Sequence, residues 1–146
     1  MFVCLLLYAF DALYITFAIS TFFMSGSAAS LAAEIVWMAL CFWYILFNML
    51  DIESSFSFGV KMLNCLNPII ASSYAMTFLA KYETQANGLH WSLLFTPSTL
   101  VDHLAVGHCF VMLIVDGICL MLITWYVEAV CPGGDGVPQN PWFFFL

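Results

Sequence analysis

Arginine is missing from this sequence, and lysine occurs only twice, at Lys61 and Lys81. Binding to nucleic acid or to anionic headgroups needs clustered basic side chains, so neither nucleic acid nor an acidic membrane surface is an expected partner. Charge of either sign is scarce: charged residues are 8% of the chain, against roughly 25% in a soluble domain. The nine acids stand singly, so the net charge of −7 marks no acidic tail or patch. The six cysteines include no CxxC pair and no regular spacing, which argues against a disulfide framework or a zinc site. No GxSxG turn and no glycine-rich phosphate loop occurs, so the chain by itself is expected to hydrolyse nothing.

What is abundant is apolar surface. Hydrophobic residues make up 64% of the chain, and the mean hydropathy is +1.03. A water-soluble fold of this composition leaves large apolar patches exposed, which a bilayer instead accommodates. The apolar start is read as a span rather than a signal peptide: no basic segment precedes it, and the run continues to Met24.

Three runs have the length and composition of membrane spans: residues 2–24, 28–50 and 104–130. Each exceeds the roughly 20 helical residues that cross a core of about 30 Å. Ser25-Gly26-Ser27 makes the link between the first two a tight helical hairpin. Residues 56–80 are apolar on average but interrupted by Lys61, Asn64, Asn67-Pro68, Ser72 and Ser73. Proline removes a backbone donor and disfavours helix before it, which predicts two arms of roughly 10 to 12 residues. Arms of that length form a re-entrant or interfacial hairpin; the competing arrangement is one kinked full span. Residues 81–103 are the most polar stretch, with Trp91 and Phe95 suited to the headgroup level. The last run ends at Cys131-Pro132-Gly133-Gly134, which stops a helix, and the tail beyond it is extended and aromatic.

The polar residues inside the runs are the candidate functional positions. Asp116 falls near the middle of the last run, where an aspartate costs about 2.5–3.5 kcal/mol on insertion scales. It either lines a translocation path or bonds a neighbouring helix across the bundle, or it serves only packing in a protonated or locally hydrogen-bonded form. Asp11 in the first run carries the same two readings. Glu128 lies about 18 Å further along the last helix than Asp116, at the membrane edge beside Tyr126, where a structural role is the plainer one. Glu34, early in its run, reads likewise, since acids are favoured in first helical turns. His103 and His108 are five residues apart, about 140° around a helix, and so share no ligand face.

Three stretches carry a family resemblance. The exit WYVEAVCPGGDGVPQNPWFFF resembles the end of a membrane domain in ABC transporter subfamily A, matching at Trp125, Tyr126, Glu128, Ala129, Val130, Pro132, Gly133, Gly136, Pro138, Pro141 and Trp142. The turn STFFMSGSAASLAA is similar to that family's at Ser20 to Phe23 and Leu31 to Ala33, with Met24 to Ser27 where a basic residue is usual. The loop KYETQANGLHWSLLF keeps Glu83, Gln85, Gly88, Trp91, Leu94 and Phe95. Asp116 also falls where the family carries an aspartate, while Cys131 replaces an aromatic and Asn140 is an extra residue in the exit.

The resemblance implies an all-α membrane protein: part of an ABC exporter membrane domain, with three transmembrane helices, a re-entrant exofacial helical hairpin and a cytosolic exit at 131–146. It implies ATP-driven export of phospholipid or sterol, with membrane lipid, the remaining spans and the nucleotide-binding domains as partners. ATP and Mg would act through a nucleotide-binding domain that this chain does not contain, and no cofactor or metal is expected on the chain itself. Pro132, Gly133, Pro141 and Trp142 would couple to that domain, and Asp116, Glu128 and Asp11 would be the polar contacts of the pathway or helix packing. The alternative function is a standalone membrane scaffold or regulatory subunit without transport.

Overall fold

A computed structural model describes residues 1–51, 56–84, 88–97 and 103–131. Five α-helices account for most of them: α1 (Phe2–Ser20), α2 (Gly26–Leu50), α3 (Phe58–Asn64), α4 (Pro68–Thr84) and α5 (Val106–Val130), with a 3-10 turn at Trp91–Leu93. No strand occurs among the described residues. Helices α1, α2 and α5 are each long and apolar enough to cross a membrane. The chain is an integral, multi-pass, all-α membrane protein.

α1 ends at Ser20 although the apolar run continues to Met24. The hydroxyls of Ser20 and Thr21 turn back to donate to the carbonyls of Phe17 and Ala18, at 2.8 and 2.7 Å, in the closing turn. Ser25 then caps α2, accepting from the Ala28 amide at 3.4 Å. The close link makes α1 and α2 antiparallel, with Tyr8 edge-on to Trp37 at 6.5 Å between ring centroids.

The segment after α2 is a helical hairpin with unequal arms, 7 residues in α3 and 17 in α4. The expectation of two arms of 10–12 residues treated Pro68 as the middle of the break. Pro68 is instead the first residue of α4, where a missing N–H costs nothing. The Asn67 carbonyl oxygen of the side chain accepts from the Ile69 amide at 3.0 Å, an N-terminal cap that lets the helix begin at the proline. The break therefore lies wholly before Pro68, and α4 gains the length α3 lacks.

The hairpin tip is fastened deep along α2. Asn67 Nδ2 donates to the Leu40 carbonyl at 3.1 Å. Trp43 Nε1 donates to Asn64 Oδ1 at 2.9 Å, and Asn64 Nδ2 donates to the Val60 carbonyl at 2.9 Å. Leu40 is about 15 Å along α2 from its Leu50 end, near half the thickness of a hydrocarbon core. Both arms return to the Leu50 end, so the hairpin enters the bundle and leaves it on one side.

α1 packs most extensively on α5, and α4 packs on both. The buried stripe of α4 runs Ala71, Ala75, Phe78, Tyr82 and meets Cys4 of α1 and Val106, Cys109, Phe110 and Leu113 of α5. Much of this interface is small: Ala71, Ala75, Cys4, Cys65 and Cys109 are at most 1% exposed. Lipid offers no hydrophobic drive for helices to associate, so close van der Waals approach through small residues supplies it. Cysteine acts here as a small packing residue, and all six are free thiols. Other large side chains, among them Phe10, Phe17, Met38, Phe42 and Trp43, lie on the exposed faces, and Phe47 alone of α2 is buried.

Where the chain turns into α5, Gly107 lies under the preceding loop. Its amide donates to the Leu94 carbonyl at 2.8 Å, and a Cβ there would meet the Phe95 ring at 2.7 Å. His108 Nδ1 accepts from the Ala105 amide at 3.2 Å, capping the helix, while the ring sits edge-on between Phe58 and Phe95.

Candidate functional site

Asp11 and Asp116 come together in the bundle although 105 positions separate them in sequence. α1 and α5 run side by side in the same direction, Cys4 sharing a core cluster with Cys109 and Asp11 lying against Gly117. The contact is close because Gly117 has no side chain: a Cβ there would be 2.7 Å from Asp11 Oδ1. Asp11 is 2% exposed and its Oδ2 has no hydrogen-bond partner. Asp116 directly precedes Gly117 on α5, which places the second acid one residue from this contact.

Asp116 is half-buried and faces a cavity of about 310 Å³. Its other walls are Ile15, Ala18 and Ile19 of α1, Val36 and Leu40 of α2, Leu66 and Pro68 of the hairpin tip, and Leu120. The cavity thus lies at mid-depth, where the three long helices and the tip converge. An aspartate in this position faces protein and a recess rather than lipid, as intramembrane acids do. Chemically the site can hold a proton or accept hydrogen bonds; it presents no nucleophile with a base.

The remaining candidates lie apart from this pair. Glu128 is exposed near the end of α5, and Glu34 is exposed on α2. His103 is exposed, while His108 is occupied by its cap and ring contacts. Among the described residues no three His, Cys, Asp or Glu side chains converge as a metal site needs. Pro132, Gly133, Pro141 and Trp142 lie outside the described residues, as does the exit segment from 132 onward.

A second polar centre was not recognised from sequence. Asp51 ends α2, and its Oδ2 meets Lys61 Nζ of α3 at 3.4 Å, both side chains being under 10% exposed. Tyr74 of α4 donates its hydroxyl to the same oxygen at 2.6 Å. One carboxylate therefore ties together α2, α3 and α4. Stacked rings reinforce it, Phe47 on Phe56 at 5.2 Å and Tyr74 on Phe78 at 5.9 Å. The only sequence signal was the presence of a lone lysine in an apolar run downstream of a lone acid.

The fold and its intramembrane acids define the class: a polytopic α-helical segment with one carboxyl in an otherwise apolar recess between its long helices. No family model matches the chain. Individual proteins do. The chain is 35% identical over 143 residues to the phospholipid-transporting ATPase ABCA3 of Rattus norvegicus, a match that covers 97% of this chain and 8% of that protein. It is 30% identical over 137 residues to the glucosylceramide transporter ABCA12 of Homo sapiens, covering 94% of this chain and 5% of that protein. The retinal-specific phospholipid-transporting ATPase ABCA4 of Homo sapiens is 27% identical over 146 residues, covering 100% and 6%. Over nearly its whole length, then, the chain is homologous to ABC transporter subfamily A. It spans less than a tenth of the length of these relatives.

Proposed function

We propose that residues 1–146 form the last three spans and the exofacial hairpin of a membrane domain in an ATP-driven lipid exporter. The observation that carries the reading is the unbroken homology, over 94% to 100% of the chain, with three proteins named as lipid transporters or lipid-transporting ATPases. Asp116 contributes a polar group to the recess between the spans, beside the path a lipid headgroup takes. The hairpin tip, bonded to α2 through Asn64 and Asn67, moves with that helix. α1 and α5 move as a pair through their small-residue interface. Rocking of the pair against α2 opens and closes the recess. The cargo is phospholipid or sterol.

ATP and Mg supply the energy at nucleotide-binding domains elsewhere in the transporter. The sequence carries no GxxxxGK[ST] phosphate-loop motif. Its part is to shape the recess, to place the Asp116 carboxyl within it, and to transmit motion along α5 toward Pro132, Gly133, Pro141 and Trp142.

The test begins with the full reading frame around this segment, reconstituted in vesicles with fluorescent phospholipid or sterol. ATP with Mg is expected to move lipid between leaflets, ADP is not, and Asp116→Asn is expected to slow the movement severalfold. Absence of ATP-dependent movement of either lipid, from a correctly folded preparation, contradicts the reading and leaves a scaffold or regulatory subunit.

A further inference from the structure

Asp11 poses a problem that the described residues do not solve. Its Oδ2 is buried without a partner, and such an oxygen in a low-dielectric bundle carries a large desolvation cost. The residue beside its Gly117 contact is a second acid, Asp116. The chain's two cations are both engaged away from the pair: Lys61 bonds Asp51, and Lys81 lies over the Phe78 ring at 5.5 Å.

Asp11 sits in the floor of a groove of about 190 Å³ between α1 and α5, walled by Leu7, Phe10, Tyr14, Ile114 and Ile118. The groove is apolar apart from that carboxyl and Tyr14. The relatives extend far beyond the stretch they share with this chain. We infer that the groove receives another membrane-spanning helix of the same transporter, and that this helix carries a basic side chain bonded to Asp11. The inference rests on the proposed membership of an exporter membrane domain. A cation is favoured over a neutral donor because it balances two adjacent acids, and intramembrane charges pair with one another. Lipid tails offer no donor at this depth. A second copy packed isologously would bring one acidic floor onto another.

The test uses the full-length polypeptide in native membranes, with a benzophenone amino acid in place of Phe10 or Ile118 on the groove rim. Met38, 73% exposed on α2, is the control position. Asp11 stays intact, so folding is not at issue in this arm. Irradiation followed by peptide mass spectrometry is expected to map both rim adducts to one spanning segment outside residues 1–146 that contains Lys, Arg or His. The control is expected to give lipid adducts. Asp11→Asn is then expected to lower the rim adduct yield severalfold, and exchange of the two charges to restore it. Rim adducts confined to lipid, or to residues 1–146 of another copy, overturn the inference. So does a partner segment with no basic residue, or a yield that Asp11→Asn leaves unchanged. Failure of lipid movement in vesicles with the adduct map intact overturns the exporter reading alone, and the reverse pair of results overturns the groove alone.

Discussion

Gly117 is glycine because Asp11 occupies the space a side chain would take. Gly117→Ala forces a buried carboxyl to shift inside a packed interface, and overpacking of this kind costs about 1–3 kcal/mol. Gly59 of α3 is the matched control, since nothing lies within 4 Å of a Cβ built there. Gly59→Ala is expected to leave stability unchanged or raise it by about 0.5–1 kcal/mol through helix propensity. Thermal unfolding in detergent, followed by the reactivity of the buried thiols of Cys4, Cys65 and Cys109, separates the two variants. Equal melting behaviour would mean that the Asp11 contact does not constrain α1 against α5. The ion pair of Asp51 and Lys61 makes a second case. Lys61→Met strands a buried carboxylate, at a cost of about 3–5 kcal/mol. Tyr74→Phe removes a bond to a charged group, about 1.5–3 kcal/mol. The double variant Asp51→Asn with Lys61→Met is expected to be more stable than Lys61→Met alone. An additive cycle would show that the pair is not coupled. None of this was legible in the sequence beyond the presence of the acids. The partners lie 106 positions apart in one case, and in the other they are joined by a segment that is not continuous helix, so no periodicity relates them.

The elements themselves were read more fully. An apolar run longer than a bilayer is thick has few soluble alternatives, so α1, α2 and α5 follow from composition and length. Their ends do not, because hydroxyls at Ser20 and Thr21 close α1 from within an apolar run. The hairpin was legible at Asn67-Pro68, but its shape turned on which side of the proline the helix lay. A capping asparagine before a proline marks a start, and that local chemistry decides the 7 and 17 residue arms. Asn64 and Asn67, read first as interruptions, are the bonds that hold the tip on α2. Asn67→Ala removes both the cap and the bond to Leu40 and is expected to cost about 1–2 kcal/mol. Its clearer sign is faster modification of Cys65, which is fully buried beside the tip, with Cys4 and Cys109 much less affected. Unchanged Cys65 reactivity would mean that packing alone retains the tip.

At the scale of the molecule, three helices are long and apolar enough to cross a membrane, and the hairpin folds back along α2 to the end it left. The consequence is a definite distribution of segments: Ser57 and Thr84, at the outer ends of the two arms, share one face of the membrane, and Ser27 in the first turn of α2 lies on the other. This arrangement keeps the tip inside the bundle, where Leu66 and Pro68 line the recess that holds Asp116. Single cysteines at Ser57, Thr84 and Ser27 test it, introduced where the exposed Cys41, Cys119 and Cys131 have been replaced by alanine. Labelling with a membrane-impermeant maleimide in sealed, oriented vesicles is expected to mark Ser57→Cys and Thr84→Cys from the same side and Ser27→Cys only from the opposite one. Labelling of Ser57→Cys and Thr84→Cys from opposite sides would make the segment a kinked fourth crossing and contradict the re-entrant hairpin on which the account rests.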